Sequence, residues 1–174
     1  MKKVLFILAK EGFRDEEFFT PAEILKNAGN QFFVASDAPV GKTAEGANGG
    51  DIKIDFDYKN INPVDFDLIV FVGGPGALKH LNNEISYQIA RKTIEAGKKL
   101  AAICIAPTIL ARAGVLKGKR ATAWTSALNK KSIDILKENG AEYVDKPVVE
   151  DEIITANGPE SAEEFGNVLK KILE

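Results

Sequence analysis

Four short, almost wholly apolar runs constrain this chain most: Val4–Ala9, Phe32–Ala35, Asp67–Val72 and Leu100–Ile103. Each has the length of a strand but lacks the alternation of a strand with one wet face, so each reads as buried on both sides. Between them the pattern turns helical. One helix runs to Asn27-Ala28-Gly29, and a second spans Glu84–Ala96, with Ile85, Ile89 and Ile94 spaced for one face and Gly97 closing it. Pro107–Ala113, ended by Gly114, and Ser132–Asn139, ended by Gly140, read as shorter helices. Ser161–Glu174 closes the chain as a helix, with Ser161 as its cap, Glu164 three residues on, and Phe165, Val168, Leu169 and Ile172 as its apolar face. Short strands are expected at Arg120–Ala123, Glu142–Val144, Val148–Val149 and Ile153–Thr155. The Gly-rich stretch Val40–Ile54 reads as a hairpin or excursion at a sheet edge. Doubly buried strands joined by helices imply a mostly parallel sheet in an α/β domain, covered on both faces. With 174 residues, the chain is expected to be a single domain over 1–174.

Charge and cysteine usage narrow the function. A net charge of −2 provides no basic surface, which argues against nucleic acid as a partner. One His and one Cys make no ligand cluster, so neither a metal nor another cofactor is expected. A single Cys forms no internal disulfide and fits a reducing, cytoplasmic setting. The opening apolar run meets Lys10-Glu11 after six residues, too short for a signal peptide core or a membrane span. It is read as a first strand, with no membrane association.

In sheets of this kind, ligands collect beyond the carboxyl ends of the strands. Three unusual loops are expected to converge there: Glu11–Glu17, Gly73-Gly74-Pro75-Gly76, and the turn at Cys104. Cys104 sits where an apolar run stops and Pro107 is pre-set for a first helical turn, with the small residues Ala102 and Ala106 two positions to either side. That spacing suits a nucleophile elbow, in which bulky neighbours would clash. Helix-terminal N–H groups would then favour thiolate over thiol. The alternative is a small, inert core residue.

Asp15 and Glu16 are explained by the helix dipole and an Asp cap. Glu17 differs, because Phe18 and Phe19 can press it into a dry site, raise its pKa and make it a proton donor beside the sulfur. The Gly-rich turn lacks a phosphate-binding spacing. Its Gly74 N–H and that of Ile105 would make an oxyanion hole, or the glycines serve only a tight turn.

Leu100–Ala113 followed by Leu116-Lys117-Gly118, the Glu17-x-x-x-Pro21 pattern, Phe71-Val72-Gly73-Gly74 and Thr155-Ala156-Asn157-Gly158-Pro159 together resemble the PfpI/ThiJ superfamily. That group holds PfpI-type intracellular peptidases and the Parkinsonism-associated protein deglycase. The resemblance covers nearly the whole chain. It implies a flavodoxin-like three-layer α/β sandwich with a nucleophile elbow, like class I glutamine amidotransferases, assembled as a homodimer or homohexamer. It places Cys104 as nucleophile or oxidisable thiol, Glu17 as its carboxylic partner, and the Gly74 and Ile105 amides as oxyanion donors. Gly73, Trp124 and Pro159 would line the site. Two departures stand out. PfpI-type peptidases carry His directly after the nucleophile, where this chain has Ile105. The deglycase branch usually places a His after the next strand, where Trp124 stands here. The one imidazole, His80, lies in the helix after the Gly-rich turn, where no family pattern places a base.

A thiol helped only by a carboxylic acid can add to an activated carbonyl but is poorly equipped to protonate an amide leaving group. The leading expectation is therefore a cysteine-dependent hydrolase or glyoxalase/deglycase acting on small reactive carbonyls such as methylglyoxal, or on their adducts. A non-catalytic redox or stress sensor working through Cys104 oxidation comes second, and a PfpI-type peptidase last. Phe13, Phe18 and Phe19 would either line a self-interface or pack in the core, with the core reading favoured.

Overall fold

In the computed structural model, which describes residues 1–174, the first apolar run becomes strand β1 (Lys3–Ile7), with strands on both sides of it. Its side chains alternate between faces: Val4 and Phe6 enter one core and Leu5 and Ile7 the other, all four fully buried. This explains why the run shows no polar alternation. Along the chain follow β2 (Glu11–Phe13), α1 (Asp15–Asn27), β3 (Gln31–Ser36), β4 (Thr43–Gly46), β5 (Asp51–Lys53) and β6 (Phe56–Asp57). Next come β7 (Leu68–Phe71), α2 (Ala77–Leu81), α3 (Glu84–Glu95), β8 (Lys99–Ile103) and α4 (Ala106–Arg112). The chain finishes with β9 (Arg120–Ala121), α5 (Lys131–Glu138), β10 (Glu142–Tyr143), β11 (Val148–Val149), β12 (Ile153–Ala156) and α6 (Ala162–Leu173).

Seven strands form the main sheet in the order β11-β12-β8-β7-β1-β3-β6. All neighbours pair in parallel except β11 on β12. Helices α1 and α6 cover one face through Phe18, Leu25, Phe165 and Leu169. Helices α3, α4 and α5 cover the other through Ile89, Ile109, Leu110 and Leu136. The result is the expected flavodoxin-like three-layer sandwich. The chain moves from β1 to β3 on one side, then returns to β7 on the other. The crevice beyond the carboxyl ends of β1, β7 and β8 therefore lies at a topological switch point. No helix is long and apolar enough to cross a membrane.

Several local expectations need correction. The stretch from Val40 to Ile54 does hold a hairpin, β4–β5, but it leaves the main sheet and pairs with β2 in a separate three-stranded one. Asp15 is the physical reason. Its carboxylate does not cap α1; it accepts the N–H groups of Asn48 at 2.8 Å and Gly50 at 2.6 Å and latches the hairpin tip. Ser161 likewise does not cap α6, because its hydroxyl donates to the Gly158 carbonyl at 2.8 Å. The strand expected over Arg120–Ala123 covers only Arg120–Ala121 and pairs with β10 outside the main sheet.

Candidate active site

The site begins where β8 ends. Cys104 has φ of 65°, and no other non-glycine residue in the chain has a positive φ. For a residue with a Cβ this left-handed conformation costs roughly 1–2 kcal/mol, so the surroundings must hold it. Two backbone bonds do so: the Cys104 N–H donates to the Ala156 carbonyl at 2.9 Å, and the Trp124 N–H donates to the Cys104 carbonyl at 2.7 Å. Ala102 and Ala106 are fully buried on either side, and α4 starts immediately with Pro107 in its first turn. The strained strand-to-helix bend expected at this cysteine is present.

Glu17 approaches from α1. It is fully buried, and its Oε2 accepts the Gly73 N–H at 3.1 Å, while Oε1 is buried with no partner. Gly73 is glycine for a steric reason. A Cβ there would come within 2.6 Å of the Cys104 Cβ and 2.7 Å of Glu17 Oε2, so any side chain would wedge the two apart. Gly74, with φ of 116°, lies against the backbone of Gly12, Phe13 and Arg14. The backbone N–H groups of Gly74 and Ile105 are the ones that favour the ionised form of the Cys104 sulfur.

The electrostatics differ from the expected thiolate. Burial pushes the Glu17 carboxyl up to about 7, against the lowering pull of the thiol, the Arg14 charge and the Gly73 N–H. Burial, and after it the Glu17 charge alongside, push the Cys104 thiol well above the ordinary thiol range. The Gly74 and Ile105 amides offset this only in part. Backbone dipoles alone therefore do not ionise this sulfur. Cys104 and Glu17 lie on either side of Gly73, and two buried acids this close do not readily both ionise, so above about pH 7 they act as a pair that holds one proton.

The sulfur opens onto a cavity of about 320 Å³ lined by Arg14, Gly74, Pro75, Leu78, Cys104, Ile105, Trp124 and Pro159. Of the residues singled out in the sequence, Cys104, Gly74, Ile105, Trp124 and Pro159 meet at this wall. Glu17 and Gly73 do not line the cavity, and Gly73 lies against both Glu17 and the Cys104 Cβ. His80 is not among the lining residues; its Nδ1 lies 2.6 Å from Asp37 Oδ2. No three His, Cys, Asp or Glu side chains converge as metal ligands. Phe13 and Phe18 are fully buried and pack edge-to-face, so core packing is their role, and only Phe19 is partly exposed. Arg14 was the residue overlooked. A cation opening a helix whose next three residues are acidic was the signal that could have marked it.

Comparison with known proteins agrees with this fold. Residues 2–172 match the model of the DJ-1/PfpI family. Deglycase PfpI of Pyrococcus furiosus is 36% identical over 149 residues, covering 86% of this chain and 85% of that protein. Protein/nucleic acid deglycase 2 of Escherichia coli is 30% identical over 178 residues, covering 99% of each. The crystal structure of a ThiJ/PfpI domain protein from Brachyspira murdochii superposes with a TM-score of 0.90 at 29% identity, over 98% of this chain and 95% of that one. A matching family model over almost the full length, relatives at this level of identity and a shared architecture lead to one conclusion: this chain belongs to the DJ-1/PfpI family.

Proposed function

We propose that this protein is a cysteine-dependent hydrolase or glyoxalase/deglycase-type enzyme acting on small reactive carbonyls or their adducts. One observation carries the reading: a cysteine held in a left-handed conformation at a cavity wall beside Gly74 and Ile105, with a buried carboxyl behind it across Gly73. The deglycase names of relatives in the same family support it.

The reactive species is the monoanion of the Cys104–Glu17 pair. As a carbonyl carbon reaches the sulfur, the thiol proton passes to Glu17 and a C–S bond forms. The carbonyl π electrons move onto its oxygen, which the Gly74 and Ile105 N–H groups hold. Glu17 then returns the proton to that oxygen, or to a departing amine when the substrate is an adduct. In the hemithioacetal from a 2-oxoaldehyde, Glu17 takes the proton from the carbon bearing sulfur and, through an enediol, delivers it to the neighbouring 2-oxo carbon. The first carbon is thereby oxidised to a thioester as the second is reduced to a hydroxyl-bearing carbon. Water then adds to the thioester carbonyl, the carbon–sulfur bond breaks, and the 2-hydroxy acid leaves as the thiol is restored. With His80 bound to Asp37 and no imidazole at the wall, this site suits aldehyde-like carbonyls better than amides. Converting methylglyoxal to lactate tests the reading. Wild type should form lactate and Cys104→Ala should not, whereas equal rates would end the proposal.

The same missing imidazole favours a second reading, in which Cys104 serves as a redox sensor. Stoichiometric peroxide followed by intact-mass measurement tests it, and no added oxygen on the wild-type protein would rule it out.

A further inference from the structure

We infer that Arg14 sets the substrate specificity of this cavity, by anchoring a carboxylate carried on the carbonyl compound that meets Cys104. This deepens the reading of Cys104 as a nucleophile and rests on it. Of the eight lining residues Arg14 alone carries a formal charge, and Pro75, Leu78, Ile105, Trp124 and Pro159 leave the rest of the wall largely apolar. The Nε of Arg14 is buried without a hydrogen-bond partner, and its guanidinium takes part in none of the ion pairs. A buried, unpaired donor on a cation is unfavourable unless something joins it.

Three carboxylates follow Arg14 directly in the sequence, yet none forms an ion pair with it. Asp15 accepts from the backbone of Asn48 and Gly50, Glu16 accepts from the Asn48 side-chain amide at 2.9 Å, and Glu17 turns inward to Gly73. Arg14 also occupies the N-cap of α1, a 13-residue helix, where the dipole already supplies positive potential. A cation there is placed against local preference, and the two fields add towards an incoming anion. Its backbone is clamped too: the Arg14 N–H donates to the carbonyl of Gly73 at 3.1 Å, the residue packed against the Cys104 Cβ. Anchor and nucleophile are therefore held by the same glycine turn. A cavity of about 320 Å³ admits only a small molecule. The fitting class is a short aldehyde or 2-oxo compound bearing a carboxylate within a few carbons of the reacting carbon.

Paired alkylators test this without any turnover. Iodoacetate and iodoacetamide each form the same S–CH₂ bond to Cys104 and expel iodide, but only iodoacetate carries a carboxylate. The ratio of their rates, divided by the ratio for free cysteine, cancels the thiol's own reactivity. In wild type that normalised preference for iodoacetate should be about tenfold or more, the scale of one charge-assisted hydrogen bond. Arg14→Gln should abolish it, and Arg14→Lys should keep most of it. A wild-type ratio equal to that of free cysteine, or one unchanged in Arg14→Gln, would overturn the inference. If both reagents react too slowly to time, Trp124, the only tryptophan, reports binding by fluorescence. Glyoxylate should then bind wild type about tenfold tighter than Arg14→Gln, and equal affinity would overturn the inference. An Arg14-dependent preference in a protein that turns over neither methylglyoxal nor a short carboxylate-bearing aldehyde would retire the enzymatic reading and leave the anion anchor standing. Lactate formation without that preference would do the reverse.

Discussion

Replacing Glu17 by Gln is expected to stabilise the protein at alkaline pH and to change it little in acid. Glu17 is fully buried, and burial pushes its pKa from the ordinary 4.5 up to about 7. Between those two values the native state holds a proton that the unfolded chain has released. The stability contributed by this group is therefore fully present below about pH 4.5 and is lost as pH rises through about 7. A gap of about 2.5 pKa units, at 1.36 kcal/mol each, amounts to about 3 kcal/mol. Gln still accepts from the Gly73 N–H and never ionises, so the variant escapes that loss. Urea unfolding of both proteins at about pH 4 and about pH 8 measures the effect. The difference between them should swing by about 3 kcal/mol towards the variant, or about 6–12 °C in Tm for a chain of this size. A difference that stays the same at both pH values would refute the claim that a buried, proton-holding carboxyl lies behind the cysteine.

Three further outcomes follow from the same geometry. Gly73→Ala should cut activity more than tenfold and destabilise by about 1–3 kcal/mol on denaturation, because its Cβ would overlap the Cys104 Cβ and Glu17 Oε2. Both Cys104→Gly and Cys104→Ala should be inactive, but the glycine variant should be more stable by about 1 kcal/mol, since only glycine adopts a positive φ freely. Asp15→Ala should cost about 1.5–3 kcal/mol and speed amide exchange across residues 43–53, because two N–H groups of the hairpin tip lose a charged acceptor.

Sequence legibility followed burial. The inner strands β1, β7 and β8 were plain because both of their faces are wet by nothing, and their residues are apolar at almost every position. The elbow was plain because the bend demands small residues at 102 and 106 and leaves one sulfur between them. Harder to read were elements whose partners lie far along the chain. The two-residue edge strand β6 and the three-residue β2 carry no periodic pattern, and only pairing with β3 and β4 defines them. Asp15 and Ser161 looked like caps because the local sequence of a cap is identical whether the oxygen turns to its own helix or elsewhere. The Asp15 carboxylate instead meets backbone 33 and 35 residues away. The protonation of Cys104 was misjudged for a related reason. Helix amides are visible in a sequence, but the desolvation that outweighs them exists only once the layers close.

The pH dependence of Cys104 alkylation by iodoacetamide tests most directly whether sulfur and carboxyl operate as one unit. If they share a proton, the wild-type rate rises with an inflection near 7, and Glu17→Gln moves that inflection upward out of the neutral range. An inflection at the free-thiol value of about 8.5 in both proteins would show the cysteine reacting alone and contradict the account.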